Sequence, residues 1–325
     1  MALDRRKLIG LAASAIALPT SVRFARAQTY PDRPVHILVG FAAGGPQDIF
    51  ARLIAQALSD RFGRPVVVDN KLGDGGNAAA EAVINAAPDG YTLLLVGPPN
   101  AVNASLYDHL NFDFIRDIVP VAGIARAPNV MEVNPKFPAQ TVPDFIAYAK
   151  ANPDKIKMGS GGNGTIPHVA GELFQMMTGT KLVHVPYHGE ILGVPDLLAD
   201  RIQVMFGSIA WSMDYIKDGT LTPLAVTTAV RSDLLPDLPT IGAFVPGYEA
   251  SAWYGIGAPK ATPAAIIQKL NDAINDALIA PDMRARVSKL GARALLLKPA
   301  EFGNLVASET EKWGKVVRAA GIKAS

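Results

Sequence analysis

Two short loops hold the residues best able to do chemistry. "FAAGGP" (Phe41 to Pro46) separates a strand-like "VHILVG" from a helix-like "QDIFARLIAQAL", and "SGGNGT" (Ser160 to Thr165) joins "IKMGS" to "IPHVAGELFQMMTG". Neither loop contains Lys or Arg. A helix begins with unpaired N–H groups and a partial positive end, so it accepts anions. Glycine lets backbone approach a ligand closely and adopt positive φ. The predicted chemistry is therefore the reception of a small carboxylate by main-chain N–H groups and hydroxyls. Phe41, Ala43, Gly44, Gly45 and Pro46 form the first candidate set. Ser160, Gly161, Asn163, Gly164 and Thr165 form the second, where Thr165 either caps its helix or turns its hydroxyl to the ligand. One such loop alone is more often a tight strand-to-helix connection; two at matching places favour binding. Gly45→Val is expected to block the first turn.

The neighbouring side chains each admit two readings. Asp48 is either a first-turn acid paired with Arg52 four residues on, or a ligand-facing acid for an ammonium group or a bridging water. His168 is either an oriented donor in the cleft or a histidine on the helix surface. Tyr187 and His188 lie in a loop at the predicted mouth, where one of them is expected to touch ligand. Ser208 ends a further strand, "IQVMFGS", and Trp211 after it is a packed aromatic or an apolar wall. Lys71 is a solvated loop residue or a counter-charge for a distal carboxylate. Ser160 and His168 invite a hydrolase reading, but Met158 stands where the Gly-x-Ser-x-Gly elbow needs glycine. "GFAAGG" lacks the spacing of a dinucleotide fingerprint. The five histidines share no metal-ligand spacing and there is no cysteine, so no metal, cofactor or thiol chemistry is expected.

These loops need elements to hold them, and the chain repeats one plan. In the first half "VHILVG", "VVVD" and "YTLLLVG" each lead through a loop into a helix-like or turn segment. In the second half "IKMGS", "KLVHV" and "IQVMFGS" do the same. The alternation predicts an α/β fold of two doubly wound lobes, with loops from both around one cleft. "DIVPVAGIA" and "VMEVNP" read as separate strands near the crossing between lobes. Thr141 is the expected N-cap of one helix, and Thr262 with Pro263 opens another. Lobe 1 is expected to comprise 28–126 plus 252–325, and lobe 2 residues 127–251.

The first 27 residues read as a signal peptide. Arg5, Arg6 and Lys7 precede an apolar stretch from Leu8 to Leu18, and "ARA" ends at Ala27. Both general export and the twin-arginine route fit. Their removal takes away five Lys/Arg and one Asp, leaving 26 basic and 28 acidic residues, a formal charge of −2. Such a chain has no basic footprint for nucleic acid.

"PVHILVGFAAGGPQDIFARLIAQALSDRFGRPVVVDNKLGDGGN", "APDGYTLLLV", "GSGGNGTIPHVAGELF", "VHVPYHG", "LAVTTAVRSDLLPDLPTI" and "WYGIGAP" resemble the Bug family, the TctC-like periplasmic binding proteins of tripartite tricarboxylate transporters. The resemblance spans nearly the whole mature chain. It implies a two-lobed, hinge-closing protein that grips a carboxylate between Phe41–Asp48 and Ser160–Thr165, partly through waters, with His168 following. It also implies a monomeric periplasmic receptor, not an enzyme, that delivers a di- or tricarboxylate, amino acid or aromatic acid to membrane components. A role beside a signalling receptor is the alternative. Two departures stand out: His188 replaces a common lysine in "VPYHG", and Ala199 and Asp200 replace the glycines of "DLLGG".

Overall fold

The computed structural model describes residues 30–324; the expected signal peptide lies outside them. The first half builds β1 (Val35–Val39), α1 (Pro46–Phe62), β2 (Val66–Asn70), a tight turn at Asp74–Gly76, α2 (Asn77–Ile84), β3 (Thr92–Val96) and α3 (Pro98–Leu106). A short α4 (Phe114–Asp117) leads into β4 (Ile118–Val133) and α5 (Val142–Ala151). The second half repeats the plan: β5 (Lys157–Ser160), α6 (Ile166–Thr178), β6 (Val183–Pro186), α7 (Val194–Leu198), β7 (Val204–Ser208), α8 (Ile209–Lys217) and β8 (Thr222–Val226). The chain then returns through β9 (Ser251–Pro259), α9 (Ala264–Ile279), α10 (Pro281–Lys289), β10 (Arg293–Ala294) and α11 (Pro299–Ala320).

The strands join in the order β2-β1-β3-β9-β4-β7-β5-β6, with β8 and β10 also on β4. β1 runs parallel to β2 and β3, and β5 runs parallel to β6 and β7. Each half is thus a small parallel sheet, as the repeated strand-loop-helix pattern requires. The halves meet through antiparallel strands. β4 pairs with β9 from Ile118 to Pro128, and then with β7 from Asn129 to Val133. The two strands expected over 111–135 are one continuous 16-residue strand. Pro128 and Asn129 interrupt the apolar pattern of the sequence without ending the strand, because partners on both sides hold it.

Two apolar layers cover the sheet. One places Phe50, Ile54 and Leu58 of α1 and Leu270, Ile274 and Leu278 of α9 over Ile37 and Ile256. The other runs through both halves, joining Val102 and Leu106 of α3, Phe174 of α6, Phe206 of β7, and Phe302 and Trp313 of α11. The tail packs on α3 and β4 and touches α6 as well. Inside this layer the Trp253 and Trp313 indoles donate to Glu309 Oε2 at 3.1 and 2.8 Å, and Lys312 Nζ pairs with Glu309 Oε1 at 2.6 Å. That satisfies the buried carboxylate and fixes α11 to β9.

Local signals were read with mixed success. Thr141 caps α5, its Oγ1 accepting from Asp144 N at 3.3 Å. Pro263, expected at the first helical position of α9, is instead its N-cap. On α1 the apolar Ile49 is 38 % exposed, while the acidic Asp48 beside it is only 2 % exposed. Asp200, at a position where the resemblance expects glycine, takes the left-handed conformation at φ 57°. Asp is among the few residues that tolerate this.

Candidate functional site

The first loop is held open from beneath. Asp48 Oδ2 accepts from Gly44 N and from Arg52 Nε, both at 2.9 Å, and Oδ1 accepts from Asn70 Nδ2 at 2.9 Å. Asn70 Nδ2 also donates to Phe41 O at 2.8 Å. The carboxylate therefore links both ends of the turn to β2. Hydrogen bonding to Arg52 first, then to Gly44 N and Asn70, outweighs burial and lowers its pKa to about 2. Asp48 is thus a paired acid that shapes the loop. Gly44 sits at φ 81°, a conformation closed to most residues, and opens on free space. Gly45, in contrast, is extended at φ −74°, so the conformational demand placed on Gly45 belongs to Gly44. Ala43 and Pro46 are exposed on the rim, and Phe41 lies half-buried against Gly76.

The second loop is held by hydroxyls and two stacked imidazoles. Ser160 is fully buried. Its Oγ accepts from Gly162 N at 3.1 Å and lies 2.6 Å from His184 Nε2. The His184 ring stacks on His168 with centroids 3.6 Å apart and planes 6° from parallel. His168 is only 4 % exposed, and its Nδ1 accepts from Gly164 N at 3.2 Å. It is therefore not a histidine of the helix surface: Nδ1 is turned to the loop's own backbone, and Nε2 lies 3.6 Å from Glu172 Oε1. Burial first, and the adjacent His168 second, lower the His184 pKa to about 4. Ser160 pairs with His184, not with His168, so the nucleophile–base pair considered from spacing does not form.

Thr165 resolves its two readings in a third way. Its Oγ1 donates to Gly162 O at 2.7 Å and makes no cap bond to α6. Gly162 and Gly164 have φ of 121° and 75°. Asn163 Nδ2 donates to Lys323 O at 3.3 Å, joining the loop to the tail. Helices α1 and α6 thus both begin without a side-chain cap and with proline in the first turn. The threonine before α5 does cap its helix, whereas α2, α8, α9 and α10 also start without a side-chain cap bond, so a bare start is not peculiar to α1 and α6.

The two loops share a neighbour. Phe41 packs on Gly76, and Asn103 of α3 donates to Gly75 O at 3.0 Å and to Asn77 Oδ1 at 2.9 Å. On the same helix, Val102 and, one turn after it, Leu106 pack against Gly164. Helix α3 therefore spans from the floor of the first loop to the second. Asn103 was missed in the sequence, although "PPNAVN" directly follows a strand.

The remaining candidates sit on the β6 and β7 loops. Tyr187 turns away, its hydroxyl donating to Asp196 Oδ2 at 2.7 Å; burial, then that bond, raises its pKa to about 12. His188 is exposed. Ser208 N and Trp211 Nε1 donate to Glu190 Oε2 at 3.0 and 2.7 Å. Neither Glu190 nor His184 was singled out from the sequence, since neither sits in a glycine turn. Lys71 is exposed. Among the described residues no cluster of three or more His, Asp or Glu is disposed to hold a metal ion.

Comparisons with known proteins agree with this architecture. A family model described as "Tripartite tricarboxylate transporter family receptor" matches residues 50–322. Protein BugT of Bordetella pertussis is 35 % identical over 318 residues, which is 97 % of this chain and 96 % of that protein. A solved structure described as R. palustris Rpa4515 with adipate has a TM-score of 0.80 at 36 % identity, covering 90 % of this chain and 99 % of that one. MatC (Rpa3494) from Rhodopseudomonas palustris with bound malate has a TM-score of 0.76 at 30 % identity, over 89 % and 100 % of the respective chains. With a two-lobed α/β frame, two uncapped helix starts and a family match over most of its length, the chain belongs to the tripartite tricarboxylate transporter receptor family.

Proposed function

We propose that this chain is a periplasmic receptor that captures one small organic carboxylate between its lobes and hands it to the membrane components of a tripartite transporter. The observation that carries this reading is the pair of bare helix starts, Gly45–Pro46 and Thr165–Ile166, each behind a loop with a left-handed glycine. First-turn N–H groups without a cap need a partner from outside the chain. Asp48 and His168 spend their own polar atoms on Gly44 N and Gly164 N. This keeps the loops rigid and leaves main-chain amides to meet the ligand. Relatives of similar fold carry adipate and malate, both carboxylates.

The lobes are residues 28–126 with 252–325, and residues 127–251. They flex where β4 changes partner at Pro128–Asn129. Closure brings the second set of amides onto a carboxylate already held by the first. The mature protein acts as a monomer, exported after cleavage near Ala27, and its role is binding with no bond made or broken.

The test is a melting-temperature screen of residues 28–325 against mono-, di- and tricarboxylates, amino acids and aromatic acids. A ligand that binds only the folded state raises the melting point. At least one carboxylate is expected to do so, and the shift is expected to vanish in Gly44→Val. No shift from any carboxylate, or a shift that survives Gly44→Val undiminished, overturns the reading.

A further inference from the structure

The β6 loop places a carboxylate, Glu190, beside the second glycine loop. Glu190 reaches the start of α8, and its Oε2 takes the Ser208 amide and the Trp211 indole N–H. It also lines the second glycine loop: a Cβ on Gly161 would stand 3.1 Å from Glu190 Cγ. Its charge is felt in the other half of the molecule, at Tyr254 of β9. There burial, followed by Glu190, raises the phenol. Tyr254 in turn stacks on Phe50 of α1, with ring centroids 4.5 Å apart. Glu190 thus stands beside one loop and near Tyr254, the ring that stacks on the helix opened by the other loop.

A second observation marks this spot as more than one side chain. Glu132 of β4 lies directly behind, fully buried, with no charged partner and only the Ser212 hydroxyl near enough to favour its ionised form. A Cβ on Gly207 would come within 2.6 Å of Glu132 Oε1 and also meet the Trp211 ring, so both acids share the pocket under α8. Burial above all raises the Glu132 pKa well above its usual value, opposed by the Ser212 hydroxyl and reinforced by Glu190. Among the described residues no Lys or Arg forms an ion pair with Glu190, whose polar partners are an amide and an indole. Oε2 is therefore spent on the protein, while among the described residues no donor is bonded to Oε1.

We propose that Glu190 selects the far end of the ligand, favouring a carboxylate whose other end is a cationic donor such as ammonium over one that ends in a second carboxylate. This rests on the carboxylate-receptor reading and narrows it. A dicarboxylate would lose the start of α8 to Glu190 and bring a like charge to a site without a balancing cation. An ω-ammonium carboxylate would place an N–H donor against Oε1. Like charges at contact distance disfavour binding, and opposite charges favour it, most strongly where water is excluded. The arrangement needs no cation from the protein because the ligand supplies it.

The test compares matched chains of four to six carbons at pH 8, an alkaline condition chosen because burial raises the Glu190 pKa: the α,ω-dicarboxylate, the ω-amino acid and the plain monocarboxylate, titrated calorimetrically into residues 28–325. Wild type is expected to bind the ω-amino acid at least about tenfold more tightly than the dicarboxylate. Glu190→Gln, which keeps the shape and the Ser208 contact, is expected to cut that ratio by about tenfold or more. Glu190→Ala should lower it further by freeing the start of α8, which covers any instability of the glutamine variant. A wild-type preference for the dicarboxylate, or an unchanged ratio in both variants, overturns the proposal while leaving the receptor reading intact. Failure of all three compounds and of the wider carboxylate panel to bind overturns both.

Discussion

Removing one charge should test whether the first loop is built from beneath. In Asp48→Asn the side chain keeps its size but loses the ionised acceptor that holds Gly44 N, Arg52 and Asn70. A carboxyl held at about 2 instead of 3.8 represents about 2.4 kcal/mol of preference for the folded, ionised form. The group is shut off from solvent, but Arg52 on top of it is half exposed. Screening through that face reduces the expected loss at pH 7 to about 1–2 kcal/mol. The sign follows from the depressed folded pKa. The contribution is complete above the unfolded value, is about halved near pH 3, and is gone once pH falls through about 2. Urea unfolding of wild type and variant, repeated between pH 3 and 7, reads this directly. The stability gap should narrow as pH falls, and ligand affinity at pH 7 should drop because Gly44 is no longer tied. A variant equal to wild type at pH 7, or a gap that stays constant down to pH 3, would refute the account of Asp48 as the loop's anchor.

Other substitutions separate the roles of individual loop residues. Gly44→Val forces a β-branched residue into φ 81° and should cost about 1–3 kcal/mol and most of the ligand affinity. Gly45→Val, at φ −74°, should be the milder of the two by denaturation and calorimetry; the reverse order would place the conformational demand at Gly45. Thr165→Ala deletes the 2.7 Å bond to Gly162 O and should lower stability by about 1 kcal/mol, with any change in binding following loop order. The pH dependence of stability should show His184: a folded pKa of about 4 against 6.5 unfolded means stability is full above 6.5, is lost as pH falls towards 4, and levels off below. The whole shift would be about 3 kcal/mol, reduced to about 1–2 by the partly exposed ring. In His184→Phe that slope between pH 6.5 and 4 should flatten, and an unchanged slope would assign it elsewhere.

What could be read from the residues was whatever local patterns dictate. Strand-loop-helix repetition and glycine before proline-led helix starts were visible because each is set by a few adjacent residues. Thr141 as a cap is of the same kind. The misses involve distant partners. His184 lies in a strand that gives no hint of the ring it stacks on, which comes from α6. The pairing of Asp48 with Arg52 was legible and is present, whereas its bond to Asn70, 22 residues away, was not. Two apparent strands became one because β4 gains partners from both halves. Glu190 looked like a loop residue until α8 was placed above it. Long-range pairing decided these, and a linear pattern does not encode it.

The continuity of β4 also makes the molecule sensitive to frame in an unusual way. Beyond Asn129, Val130 points to α8's side of the sheet and Met131 and Val133 to the layer shared with α6 and α11. Before it, Val121 and Ile124 belong to the layer under α1 and α9. Adding or deleting one residue near Pro128 would turn every later side chain to the opposite face. Glu132 would then be driven among Phe174 and Phe206, and the downstream half would have to slip against β7 and β8 to recover. Length changes that surface loops absorb freely should therefore be rejected at this single crossing.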